Sequence, residues 1–287
     1  MSDDILTLAS RAVLRIEGAD ARAFLQGLIT NDIEKARGDE AVYAALLTPQ
    51  GKFLFDFFLL EHEGGFLLDT AAERAGDLQK RLTLYKLRAD VSIADWSSHW
   101  RVEALIGDAE SAPAEGRSYI DPRLAELGRR RFIEGAAAEA SDHEERYNAH
   151  RLKLAVPVSG FDIKPEKSFP LECNLDALNA VDFSKGCYVG QEVTSRTKRR
   201  GVVRKRVLVA RRGEGGAPFE ADAPVTLGEA EIGRMLSFDG AAGLALIRLD
   251  RWRAGEGVAE TAGAPVELSI PSWLEVDAAF TDEESAS

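Results

Sequence analysis

Residues 53–60 read Phe-Leu-Phe-Asp-Phe-Phe-Leu-Leu, and this run limits what the chain can become more than any other segment. It reads as a strand, paired with a second apolar strand at 41–47 through Thr48-Pro49-Gln50-Gly51. That connection has turn chemistry, with Gly51 free to take positive φ. Asp56 is the polar exception. A lone carboxylate in such a strand is costly unless it is paired or protonated. Alternation places Asp56 on one face with Leu54 and Phe58, and Phe55 and Phe57 on the other. Either that face meets solvent, or Asp56 lines a pocket and bonds a polar heterocycle. Apolar neighbours on both faces favour the pocket.

Around this pair the elements alternate. A strand at 12–16 ends at Gly18-Ala19-Asp20, where Asp20 is placed to cap a helix carrying Phe24, Leu25 and Leu28. A third strand is expected at 66–69. Thr70 and Glu73 have capping-box spacing, ahead of Ala71, Ala75, Leu78, Leu82 and Tyr85 at helical intervals. Strands return at 91–94 and 102–106. This order predicts an α+β fold with mixed or antiparallel sheet. Residues 109–116 read as a loop, 134–145 as a surface helix continuing toward Arg151, and 159–169 as an irregular loop. From Gly201 onward, short apolar runs alternate with Gly, Pro and Asp turns, the rhythm of a small antiparallel barrel. The expected partition is 1–200, 201–280 and a frayed acidic tail at 281–287.

Composition excludes several classes. With 287 residues, 45% of them hydrophobic, the chain can build a sizeable core. No apolar run reaches the roughly 18 residues of a membrane span, so no membrane association is expected. The acidic start, Met1-Ser2-Asp3-Asp4, resembles neither a secretory signal nor a transit peptide. Two cysteines, Cys173 and Cys187, are too few for a disulfide scaffold or for the four thiolates that usually hold an iron–sulfur cluster. They fit a reducing compartment, and a cytoplasmic monomer is the expectation. His62, His99, His143 and His150 are scattered, so no stably bound metal is expected. A net charge of −12 argues against nucleic acid, although residues 196–206 are densely basic.

The segment Lys185-Gly186-Cys187-Tyr188-Val189-Gly190-Gln191-Glu192 is the most unusual in the chain. Its glycines permit tight backbone and close ligand approach. Lys185 and the basic stretch beyond favour a thiolate at Cys187. Cys187 is then a nucleophile, a redox thiol or a soft-metal ligand, or else a small hydrophobe in a structural turn. Cys173 has no adjacent positive charge and reads as core. A Cys173–Cys187 disulfide is a further option that depends on Cα separation. Glu172 and Asn174 offer carboxylate and amide recognition of a pterin-like edge, or serve as turn and cap residues. Tyr188, Gln191 and Glu192 contact ligand or cap the next element. Arg196 and the cations after it hold an anionic tail such as glutamate carboxylates, or form a solvated face.

The string KGCYVGQEVTSR, with RRGVVRKR after it, resembles the YgfZ family of folate-binding proteins, whose mitochondrial counterpart is an iron–sulfur cluster assembly factor. Gly18-Ala19-Asp20-Ala21, Gly51 with Asp56, Leu84-Tyr85-Lys86-Leu87-Arg88, Pro170-Leu171-Glu172 and Ile232-Gly233-Arg234 agree in order, so the likeness covers nearly the whole chain. It implies the aminomethyltransferase-like fold of the glycine cleavage T-protein: two interleaved α/β lobes and a C-terminal barrel. It implies tetrahydrofolate as cofactor and Cys187 as the functional thiol. It further implies iron–sulfur assembly proteins and [4Fe–4S] client enzymes as partners. The alternative is a folate-dependent one-carbon transferase. Against it, the T-protein's R-x-E-x-G segment is Arg151-Leu152-Lys153-Leu154-Ala155 here, its paired acids are Phe55-Asp56, and its counterpart of the loop lacks the cysteine.

Overall fold

The structure is a computed structural model that describes residues 4–107, 115–136, 142–213 and 218–276. The tail at 281–287 and most of the expected loop at 109–116 lie outside the described residues. Two compact units form, one from Met1–His150 with Leu178–Gln191, the other from Arg151–Ala177 with Glu192–Ser287. This division cuts across the sequence-based partition at residue 200.

The first unit contains strands β1 (Asp4–Thr7), β2 (Arg11–Glu17), β3 (Val42–Leu47), β4 (Phe53–His62) and β5 (Gly65–Ala71). It continues with β6 (Ser92–Asp95), β7 (Trp100–Ile106), β8 (Arg117–Ile120) and β9 (Arg129–Glu134). Its helices are α1 (Ala21–Leu28), α2 (Ala72–Lys86) and most of α3 (His143–Lys153). The strands make a five-stranded sheet, β3-β4-β5-β2-β6, and a four-stranded sheet, β1-β7-β9-β8, antiparallel throughout. Alternation explains the layering. Leu14, Ile16, Ala44, Leu46, Phe55, Phe57, Leu59 and Leu68 share one core with Leu25 and Leu28 of α1 and Leu78 and Leu82 of α2. The opposite face carries Tyr43, Asp56, Phe58 and Asp69. It meets the second sheet through the ring contact Phe58–Tyr119, and Tyr119 packs in turn on Phe132 within that sheet.

Three local expectations change. Asp20 precedes α1 but does not cap it; its carboxylate accepts from the Asp90 amide at 2.8 Å. Thr70 lies inside β5, and its hydroxyl donates to the Asp56 carbonyl, so no capping box forms with Glu73. The helix expected from residue 134 starts at His143, because Glu134 ends strand β9. Residues 137–141 of that expected helix lie outside the described residues.

The second unit contains α4 (Gln191–Arg200, whose first residue belongs to the first unit), β10 (Lys205–Arg212), β11 (Pro224–Leu227) and β12 (Ala230–Asp239). It ends with β13 (Ala242–Arg248), α5 (Leu249–Ala254), β14 (Ala259–Thr261) and β15 (Ala264–Ser269). The six strands close as β10-β13-β12-β11-β14-β15 around Leu208, Val225, Met235, Ala245 and Ile247. Closure removes exposed sheet edges. Residues 159–169 are irregular as expected, yet fixed to the barrel. Arg151 donates to both Asp162 and Ser237 at 2.9 Å, and Asp162 accepts the Ser237 amide at 2.8 Å.

Candidate functional site

In the first unit the cysteine loop is held at its start, its base and its end. At the start, Asp182 Oδ1 accepts from the Ser184 amide and hydroxyl and the Lys185 amide at 2.7, 2.6 and 3.1 Å. Lys35 Nζ lies 2.7 Å from Asp182 Oδ2. Burial alone would raise the Asp182 pKa, but Lys35 and these donors hold it well below the ordinary carboxylate range. At the base, Lys185 is 8% exposed and its Nζ donates to the Gln26, Ile29 and Asn31 carbonyls at 2.8, 2.7 and 2.7 Å. Two of these carbonyls belong to α1 and its cap residue, where helices leave acceptors unsatisfied. Burial lowers the Lys185 pKa to about 8, against the pull of Asp32 and Asp182. The ring of Tyr188, itself buried, lies 5.4 Å from that ammonium.

At the end of the loop, Gly190 has φ +82°. A Cβ there would sit 2.5 Å from the Thr48 carbonyl oxygen and 3.1 Å from Gly51 Cα, so only glycine fits against the β3–β4 turn. Between the anchors, Gly186 and Cys187 are exposed. A Cβ at Gly186 would meet nothing within 4 Å, so the space beside the thiol is open. Gln191 Nε2 reaches back to the Gly186 carbonyl at 3.4 Å.

This geometry revises the expected chemistry. Cys187 is a free, exposed thiol and not a packed hydrophobe, and Cys173 is free and buried, so no disulfide joins them. Burial pushes the Cys173 thiol up to about 12, which leaves it inert. Lys185 was expected to assist the thiolate. An ammonium has three N–H donors, and all three point at carbonyls. Its role is to seat the loop on α1.

Asp56 lies in the same unit, in the middle of β4 and 6% exposed, which rules out the solvent-facing reading. Tyr43 donates its hydroxyl to Asp56 Oδ2 at 2.8 Å. Oδ1 is buried and has no hydrogen-bond partner among the described residues. The neighbourhood is aromatic and cationic. Tyr43 and Phe58 rings lie 4.9 Å apart, and Arg123 and Arg130 sit over Phe58 at 4.9 and 4.3 Å. Asp121 pairs with Arg123 at 2.7 Å, and Asp69 pairs with Arg11 and Arg130 at 2.5 Å. Tyr147 accepts from both Arg123 and Arg130. A buried carboxylate oxygen lacking a donor is expensive, about 1–3 kcal/mol or more. An N–H donor on a flat heterocycle such as a pterin would satisfy that oxygen, so the donor chemistry of Asp56 is compatible with such a ring. Phe55 points to the helix side and takes Arg74 over its ring at 4.6 Å. A second acid at position 55 would therefore not share the Asp56 face.

The remaining expected residues belong to the second unit. Asn174 takes αL geometry, and its fully buried amide bonds Val207 on both sides, donating at 2.8 Å and accepting at 3.3 Å. That commits it to the barrel. Glu172 lies 3.7 Å from Lys205. Glu192 and Arg196 pair with each other on the exposed face of α4. The basic stretch is not one surface, because Arg206 is buried against Asp176 and the Leu171 carbonyl, both at 2.6 Å. Among the described residues no three His, Cys, Asp or Glu side chains gather as a metal set. Sequence reasoning missed Asp182, although Asp-x-Ser spacing signals the turn it makes. It also missed Tyr43 and the Asp69–Arg130 and Asp121–Arg123 pairs, whose setting depends on residues far apart in sequence.

Two facing antiparallel sheets and a closed six-stranded barrel define an aminomethyltransferase-like fold. The glycine cleavage system aminomethyltransferase T from Bartonella henselae superposes with a TM-score of 0.70 over 95% of this chain and 86% of that one, at 16% identity. Residues 6–112 match the GCVT N-terminal domain, and residues 204–276 match the CAF17 C-terminal beta-barrel domain. The human mitochondrial iron-sulfur cluster assembly factor IBA57 is 34% identical over 301 residues, covering 93% of this chain and 84% of that protein. The mouse protein is 32% identical with the same coverage. The Neurospora crassa homolog is 34% identical over 248 residues, and this chain spans only 56% of its length. The chain belongs to the IBA57 family of iron–sulfur cluster assembly factors. These relatives are mitochondrial, which overturns the expectation of a cytoplasmic setting.

Proposed function

We propose that the chain is a tetrahydrofolate-binding accessory factor for assembly or repair of [4Fe–4S] proteins, with Cys187 as the working thiol. The observation that carries this reading is an exposed thiol on a loop whose flanks are locked. A rigid mount presents the sulfur in one position, and open space at Gly186 lets a partner approach. One thiolate supplies one cluster ligand, so the remaining ligands come from an assembly partner or client, and the cluster is cargo. Asp56 Oδ1 and Tyr43 would hold the pterin, with Arg123 and Arg130 fixing the aromatic bed beneath it. When bound, tetrahydrofolate supplies a reduced ring able to carry one-carbon units. Arg196 and Glu192, on the exposed face of α4 in the second unit, are left to contact a partner.

Two measurements test this separately. Cells lacking the native protein receive Cys187→Ser, and [4Fe–4S] enzyme activity is assayed; loss of rescue is expected, and full rescue would remove the thiol from the account. Calorimetric titration with tetrahydrofolate compares the wild type with Asp56→Asn. Binding weakened about tenfold or more is expected from losing a buried charge-assisted bond. Equal affinity would detach folate from Asp56.

A further inference from the structure

A second concavity lies wholly within the barrel unit, about 390 Å³ in volume, which is within the range that takes small ligands. Its lining includes Lys167, Lys205, Arg234, Arg248 and Arg251 against two carboxylates, Glu172 and Glu231, an excess of three cations over acids. The register shows how the wall is built. Lys205 of β10 stands directly opposite Arg248 of β13, and Arg234 of β12 stands opposite Leu246, two residues from Arg248. Val207, Leu244 and Leu246 pack together in a cluster separate from the barrel core that Ala245 and Ile247 line. By alternation Lys205, Leu246 and Arg248 therefore lie on the outer face of the wall.

Like charges directly opposite on neighbouring strands destabilise a sheet. The neutralisation here is partial. Glu172 is 3.7 Å from Lys205, and Asp222 is 3.8 Å from Arg234, both beyond hydrogen-bond reach. The Arg234 Nε is buried without a hydrogen-bond partner among the described residues. Arg248 is the better satisfied, with Asp250 at 2.7 Å. A wall that accepts opposed cations and an orphaned guanidinium N–H is suited to acceptor oxygens from outside.

We propose that this pocket is a binding site for a compact polyanion, one bearing two or more carboxylate or phosphate groups. It is independent of the folate reading. Lys205 and Arg234 grip separate anionic groups, Leu246 supplies the apolar floor between them, and Arg251 closes the rim. The test is calorimetric titration of the full chain at low ionic strength with citrate and, separately, pyrophosphate, using acetate as the monoanion control. One of the two polyanions should bind one to one and at least about tenfold more tightly than acetate, and which one does so identifies the source. Lys205→Gln with Arg234→Gln should cost about tenfold or more in affinity while the melting temperature holds or rises. Arg251→Gln, at the exposed rim, should weaken binding in the same direction if the double variant does not fold. Acetate binding as well as either polyanion, or undiminished binding by the folded variants, would overturn the proposal.

Discussion

Gly190→Ala should destabilise the first unit, and Gly186→Ala should not. Both glycines lie in one loop, yet their surroundings differ. At Gly190, φ of +82° already costs an L-residue about 1 kcal/mol. The added methyl would stand 2.5 Å from the Thr48 oxygen, 3.0 Å from Leu47 Cβ and 3.1 Å from Gly51 Cα. Two of these are backbone atoms of a turn closed by hydrogen bonds between Thr48, Gly51 and Lys52, so no rotamer relieves the overlap. Overpacking of this kind adds about 1–3 kcal/mol. The expected loss is therefore about 2–4 kcal/mol, a large share of the roughly 5–15 kcal/mol typical of a whole fold. At Gly186 the methyl meets open space, and the change should fall within about 0.5 kcal/mol. Urea denaturation monitored by tryptophan fluorescence measures both. Alkylation of Cys187 reports loop order in parallel, since a loosened loop alters its rate. If Gly190→Ala costs no more than Gly186→Ala, the loop is not seated on the β3–β4 turn and the argument for a fixed thiol fails.

Three further outcomes are expected. Iodoacetamide should label Cys187 in the native chain and spare Cys173 until the chain unfolds, as peptide mass mapping would show; equal labelling would contradict the burial that pushes Cys173 up to about 12. Lys185→Met should destabilise by about 1–3 kcal/mol, because three carbonyls lose their donor. Folded Lys185 sheds its proton near 8 and the unfolded residue near 10.5, so the wild type should gain on the Met variant as pH climbs between those values and stay level below them; denaturation at several pH values measures the gap. Asp182→Asn should cost stability at neutral pH. The folded carboxylate is held below its ordinary value of 3.8, so that cost should be constant above about pH 4 and shrink as pH falls further; an acid titration by circular dichroism in which the gap grows would refute it.

The elements that read clearly in the sequence were those whose pattern is local. β3 and β4 with their Thr48–Gly51 turn, helix α2 and the barrel rhythm after residue 201 all depend on neighbours within a few positions. Strand β9 was hidden because Arg129, Arg130 and Arg131 look like surface. Arg130 and Arg131 are buried only because Asp69 and Glu103, distant in sequence, receive them. The Thr70–Glu73 spacing misled for the opposite reason: β5 continues through Thr70, and pairing with β2 and β4 outweighs a capping bond. In the candidate site, the thiol and Asp56 were legible as anomalies, a cysteine between glycines and a carboxylate between phenylalanines. What Lys185 does was not, since its acceptors come from the end of α1 and the residues just after it, more than 150 positions earlier.

The distribution of anchors around Cys187 separates its role from the fold's. Asp182 fixes the approach, Lys185 the base and Gly190 the exit, and each is committed to atoms of the first unit. The tip at Gly186 and Cys187 contributes little to that framework. An exposed thiol buries no apolar area, and ordinary surface substitution there changes stability by about 0.5 kcal/mol or less. A chain that needed only a stable turn would gain nothing from a thiol at an exposed point of it. Committing a buried lysine, a positive-φ glycine and a salt-bridged aspartate to holding that point still makes physical sense if the sulfur must meet a second molecule in a set orientation. Precision of mounting is therefore the property on which the proposed chemistry rests.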